Sequence, residues 1–166
     1  MTGPLLSVRG LTVTFVGSGR PVPAVRGIDF DVHANEVLGI VGESGSGKSV
    51  TSLAITGLLD ETARVQGSIR LDGVEVTTLD AESLRQMRGR DVGMVFQEPM
   101  TALNPVHSIG KQVAEPLRLH RGASREQARH KAIALLDRVG IDNAARRFDA
   151  YPHQFSGGQR QRITIA

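Results

Sequence analysis

The chain has 166 residues, 40% of them hydrophobic, no cysteine and a formal net charge of +3. This length and apolar content fit one globular domain with a real core and exclude a disordered chain. The lack of thiols excludes disulfides, thiolate metal sites and iron–sulfur ligation within the sequence. The charge is split: residues 1–83 carry six Lys+Arg and ten Asp+Glu, and residues 84–166 carry fourteen and seven. A basic half can serve nucleic acid or an acidic partner, but no aromatic residues interleave with these arginines, so it reads as solvated helix faces. Met1 to Arg9 has no basic segment ahead of a long apolar one, and nowhere do eighteen apolar residues run together. Neither a signal segment nor a spanning helix is expected.

In chain order, Leu6, Val8, Leu11, Val13 and Phe15 partly alternate, as do Val25, Ile28, Phe30 and Val32, with Gly17 to Pro23 between them. This predicts an antiparallel pair around a turn. Glu36 to Val41 is a short apolar run of the kind found in buried parallel strands. It feeds Gly42-Glu43-Ser44-Gly45-Ser46-Gly47-Lys48-Ser49, which has the phosphate-binding P-loop pattern. Its glycines let the backbone approach phosphate oxygens, and a helix over about Gly47 to Gly57 would aim free N–H groups at the same anion. Lys48 offers a charge to the terminal phosphates and Ser49 a hydroxyl to their Mg2+. The dinucleotide fingerprint fails, because Val50 stands where its third glycine is required.

Further on, Asp72-Gly73 between Gly67–Leu71 and Val74–Val76 predicts a hairpin. A helix is expected after Asp80, and Asp91 to Phe96 reads as another buried strand. From Ser108 the pattern turns helical. Ser124-Arg125-Glu126-Gln127 resembles a capping box, Ala128, Ala132, Leu135, Leu136 and Val139 make an apolar stripe, and Gly140 supplies a stop. His33, His107, His120, His130 and His153 show no metal-ligand spacing. His153 is expected to pack or hydrogen-bond beside the motif that follows it.

That motif is Phe155-Ser156-Gly157-Gly158-Gln159-Arg160-Gln161-Arg162, a hydroxyl and two glycines ahead of a helix, suited to an anion or simply to capping. With the P-loop and with Met94-Val95-Phe96-Gln97-Glu98-Pro99 between them, the sequence resembles the ATP-binding cassette (ABC) superfamily, whose signature is LSGGQ, here with Phe155 for leucine. The stretches Phe96 to Pro105 and Tyr151 to Arg162 resemble its oligopeptide, dipeptide and nickel importer branch.

The resemblance implies an α/β fold, an ABC-type P-loop NTPase nucleotide-binding domain. A β-rich ATP-binding core would span about 1–97, the Q-loop and helical subdomain about 98–154, and the signature with the start of its helix 155–166. It further implies that Phe15 stacks on adenine, a core position being the lesser alternative, and that Gly42 to Ser49 and the Val50 N–H hold the phosphates. Gln97 would position water and Mg2+. Ser156, Gly157, Gly158 and Gln159 would meet ATP held by a second cassette. Implied cofactors are ATP and Mg2+. The implied partners are a second ATPase subunit, either a copy of this chain or a paralogue, membrane permease subunits docked on the helix from Ser108 to Arg121, and indirectly an external solute-binding protein. The implied location is the cytoplasmic face of the membrane, with no nucleic acid expected. In a complete cassette an Asp-Glu pair and a switch histidine follow the signature helix, so the sequence is expected to be part of a longer protein. It predicts ATP binding more directly than hydrolysis, and apolar surface beside the P-loop is expected to stand uncovered. Two other readings are a soluble cassette ATPase acting on nucleic acid and a nucleotide-binding fragment without catalysis.

Overall fold

The computed structural model describes residues 3–17, 19–96 and 102–166. They fall into two compact units, Met1–Arg88 and Gly89–Ala166. The first unit holds strands β1 (Leu6–Phe15), β2 (Val22–Val32), β3 (Ala63–Leu71) and β4 (Val74–Glu75), with helices α1 (Lys48–Ile55) and α2 (Ala81–Met87). The strands form one antiparallel sheet in the order β2-β1-β3-β4. Val8, Leu11 and Val13 of β1 are fully buried, with a bulge between Val8 and Leu11 restoring the inward face, and Val25, Ile69 and Val76 are also buried. The predicted β1–β2 pair and the hairpin at Asp72-Gly73 both form, with Asp72 and Gly73 at positive φ.

One crossing in this sheet depends on glycine. The β1–β3 register shifts between Arg9 and Thr12, a bulge in which Gly10 takes φ +55° and its N–H donates to Asp29 Oδ1 at 2.8 Å. Opposite it, Gly67 sits at φ +97°, and a Cβ there would lie 2.5 Å from the Gly10 carbonyl oxygen. Next to the bulge, the Arg9 guanidinium pairs with Asp31 and donates to the Phe30 carbonyl at 3.2 Å.

The two strands expected at Glu36 to Val41 and Asp91 to Phe96 are not formed. Both segments lack strand pairing apart from a single bridge at Val92, and Val37 and Val41 are 96% and 94% exposed. A strand exists only through a ladder with a neighbour, and among the described residues neither run forms one beyond that bridge. The sheet of the described residues is therefore wholly antiparallel, and the P-loop is entered from irregular chain.

The second unit is helical: α3 (Ile109–Arg121), α4 (Arg125–Arg138), α5 (Ala144–Arg147) and α6 (Gly157–Ile165), with a 3-10 turn at Pro152–Gln154. The capping box at Ser124 and Gln127 is present, and Ala128, Ala132 and Leu136 of the predicted stripe are buried. Leu103, Ile109, Leu136, Ile141, Ala144, Phe155 and Ile163 form its main core. No helix among the described residues is long and apolar enough to cross a membrane.

Two stability predictions follow from the sheet. Gly67→Ala should lower the denaturant midpoint by the equivalent of about 1–3 kcal/mol, because it combines a left-handed backbone with a blocked approach. Alanine at Gly73, also at positive φ but in open space, should cost less. The second concerns Glu75. Burial opposes its charge, but Ser68 Oγ, Thr77 Oγ1 and the Ile69 N–H all donate to the carboxylate and win, holding its pKa at about 2 rather than 4.5. Since the folded value is the lower one, this contribution is complete above pH 4.5 and fades as pH falls towards 2. Glu75→Gln should thus destabilise the protein at pH 7 and show a shallower acid limb between pH 4.5 and 2 in thermal melts.

Candidate functional site: two anion-suited helix starts

The P-loop winds from Gly42 into α1, and its glycines have separate local causes. Gly45 and Gly47 take φ +81° and +93°, which side chains resist. Gly47 also passes so close to β2 that a Cβ would lie 2.5 Å from the Ala24 carbonyl oxygen, and a Cβ on Gly42 would meet Ser46 Oγ at 2.8 Å. Lys48 closes the loop from within. Its Nζ donates to the carbonyls of Gly42 and Glu43 at 2.8 and 2.7 Å and to Ser46 Oγ at 3.2 Å.

No side chain caps α1. By contrast, α2, α4 and α6 begin at Asp80, Ser124 and Ser156, each accepting a backbone N–H of its own first turn. An uncapped first turn keeps its N–H groups and the positive end of the helix dipole available to an anion. Ser49 is exposed and Val50 half-buried, while Thr51 is buried with its hydroxyl on the Gly47 carbonyl at 3.0 Å. A groove of about 470 Å3 beside the loop is lined by Ala24, Val25 and Arg26 of β2 together with Gly42, Gly45, Ser46, Gly47 and Lys48. Phe15, at the end of β1, is half-buried opposite Val22 and Ala63 and does not line this groove.

The second helix start is built differently. Ser156 Oγ accepts the Gln159 N–H at 3.3 Å and Gln159 Oε1 accepts the Ser156 N–H at 3.1 Å. Two of the predicted anion contacts therefore hold each other, although the serine hydroxyl keeps its proton to donate. Gly157 and Gly158 are exposed, neither has positive φ, and a Cβ on either would meet nothing within 4 Å. Nothing inside the chain requires glycine there, yet a helical glycine costs roughly 0.5–1 kcal/mol relative to alanine.

The loop ahead of α6 is pinned by a residue that sequence reasoning missed. Arg147 lays its guanidinium 4.0 Å over the Phe155 ring and donates to the Gln154 carbonyl at 3.2 Å. Phe155 is 4% exposed, so the phenylalanine that replaces the usual leucine is a core residue. His153 stacks on Tyr151 with ring centroids 5.9 Å apart. Gln97, and with it Glu98 to Thr101, lies outside the described residues. Among the described residues no group of three His, Cys, Asp or Glu side chains can hold a metal ion. The exposed Ser49 offers a hydroxyl of the kind that fits a Mg2+ whose remaining ligands are phosphate and water.

Residues 25–166 match the ABC transporter family. A putative peptide import ATP-binding protein of Brucella melitensis is 52% identical over 170 residues, covering 98% of this chain and 50% of that protein. The oligopeptide transport ATP-binding protein OppD of Mycobacterium bovis is 49% identical, covering 98% of this chain and 27% of its own length. The chain thus spans half or less of these relatives. Among solved structures, a dimeric ATP-binding cassette in a post-hydrolysis state with ADP and Pi superimposes with a TM-score of 0.84 at 30% identity. That match covers 96% of this chain and 67% of the other. The α/β P-loop fold expected from the motifs is therefore that of an ABC-type nucleotide-binding domain, and the chain belongs to the ABC transporter family.

Proposed function

We propose that this chain is the ATP-binding part of the energy-coupling subunit of an ABC importer, and that its solute is a peptide or a similar small molecule. ATP sits on the P-loop, with its phosphates held by Gly42 to Ser49 and the Val50 N–H, Lys48 against the terminal phosphates and Phe15 against the base. Mg2+ bound through Ser49 and Gln97 supplies neutralising charge to the phosphates. Ser156, Gly157 and Gly158 receive the terminal phosphate of ATP held by a second cassette, so that ATP joins the two subunits. The core occupies about 1–97, and the Q-loop and helical subdomain about 98–154. Helix α3 and its neighbours dock the permease at the cytoplasmic face of the membrane, and an external binding protein delivers the solute. Hydrolysis belongs to the full-length protein, where phosphoryl transfer depends on positioned charge and a positioned water.

The observation that carries this reading is the contrast between the two helix starts. At α1 the glycines answer local constraints and no side chain caps the end. At α6 the glycines answer no constraint inside the chain, which is the pattern of a surface kept bare for something that arrives from outside. The peptide-import relatives support the transport assignment. No observation favours nucleic acid as partner.

In the full-length protein, Lys48→Ala should weaken ATP binding at least about tenfold, a loss of ~1.4 kcal/mol, measured by titration with a fluorescent ATP analogue. Gly158→Ala should raise thermal stability by about 0.5–1 kcal/mol, because alanine favours a helix. It should also weaken ATP-dependent pairing of subunits in sedimentation. If the substitution leaves pairing unchanged, the trans assignment of the signature is wrong.

A further inference from the structure

One side chain of the helical unit holds an exposed turn at three points. Gln112, near the start of α3, accepts the Asn104 N–H on Oε1 at 2.8 Å and donates from Nε2 to the Asn104 carbonyl at 3.0 Å and the His107 carbonyl at 2.9 Å. The amide meets both backbone groups of Asn104 together, as a strand partner would, with both Nε2 hydrogens in use. The turn also closes on itself. The Val106 N–H donates to Asn104 Oδ1 at 3.1 Å and the His107 N–H to the Asn104 carbonyl at 3.2 Å. Leu103, just ahead of the turn, is buried in the core with Ile109 and Phe155. Helix α3 is itself fixed, because the Ile109 and Gly110 N–H groups donate to the Ala150 and Phe148 carbonyls at 2.9 Å and a Cβ on Gly110 would lie 2.3 Å from the Phe148 ring.

We propose that Gln112 is a positioning residue for ATP hydrolysis in the full-length protein: by holding Asn104 and His107 it fixes the end of the segment that starts at Gln97, seven residues before Asn104, and so sets where Gln97 orients the attacking water. This rests on the reading that Gln97 acts on water and Mg2+. Stability alone gives little reason for the clamp. Asn104, Pro105 and Val106 are exposed, and backbone groups at the surface can hydrogen-bond water at little cost, whereas Gln112 gives up the freedom of a long side chain to reach them. What three bonds from one side chain to one turn do supply is a fixed location. A group that orients a reacting water tolerates little displacement before the reaction slows.

The test uses the full-length protein and compares steady-state ATPase rates, thermal melts and titration with a fluorescent ATP analogue for Gln112→Ala, Gln112→Glu, Gln97→Ala and the double variant Gln97→Ala/Gln112→Ala. Gln112→Glu keeps an acceptor for the Asn104 N–H and loses both donors. Gln112→Ala and Gln112→Glu should each lower kcat about tenfold or more, with KM, ATP affinity and melting temperature close to native. The double variant should turn over no more slowly than Gln97→Ala, because a positioning residue then has nothing left to position. If the two losses multiply in the double variant, Gln112 does not act through Gln97 and the proposal is overturned. It is equally overturned if both Gln112 variants keep the native kcat while Gln97→Ala loses it, an outcome that leaves the Gln97 reading standing. A fall of ATP affinity and melting temperature in step with kcat would mark a merely structural clamp and overturn it too. If Gln97→Ala hydrolyses ATP like the native protein, the Gln97 reading itself falls, and this inference falls with it.

Discussion

The passage of Gly47 over the Ala24 carbonyl, with room for no Cβ, fixes where the first helix begins. The left-handed dihedral at Gly47 turns the chain sharply into α1, and the buried Thr51 hydroxyl on the Gly47 carbonyl secures the turn one residue beyond Val50. The loop is then drawn together by Lys48, whose ammonium gathers the Gly42 and Glu43 carbonyls. An anion-binding loop needs its N–H groups presented outward and its carbonyls occupied elsewhere, and this lysine occupies two of them. The sheet thus acts as a backstop, with Ala24 of β2 setting the position of Gly47, 23 residues further along the chain.

The two helix starts differ in how they are built, and on the proposed function each would meet an anion in its own way. At α1 the chain leaves the end uncapped and relies on backbone conformation. At α6 it caps the end through Ser156 and Gln159 and clears the approach with Gly157 and Gly158. The first arrangement suits a ligand that is wrapped, the second one that is met face-on by a preformed surface. Arg147 and the buried Phe155 make that second surface rigid, so its geometry exists before any ligand or partner arrives.

Much of this was legible in the residues where the chemistry is local. The caps at Asp80, Ser124 and Ser156 are side-chain-to-backbone contacts over three residues, and all three were readable or implied. The hairpin at Asp72-Gly73 is equally local. The misses are non-local. The runs 36–41 and 91–96 have strand composition but no ladder among the described residues, because pairing is a property of two segments and composition describes one. The part played by Ala24 was invisible because it acts through its carbonyl, which every residue possesses. Arg147 was invisible because its cation lies over a ring eight positions away, and nothing in the spacing marks it. The glycines at 157 and 158 were legible as a motif, but only the open space around them separates a functional glycine from a structural one.

The central claim is that one nucleotide is shared between the P-loop of one subunit and the signature of another. The most direct measurement mixes two full-length variants, Lys48→Ala and Gly158→Asp, and follows ATP-dependent association by sedimentation. Neither variant should pair alone. The mixture should pair, because it contains one composite site with an intact P-loop from the Gly158→Asp subunit and an intact signature from the Lys48→Ala subunit. A mixture that remains as monomeric as its components, or a single variant that pairs by itself, would contradict the account.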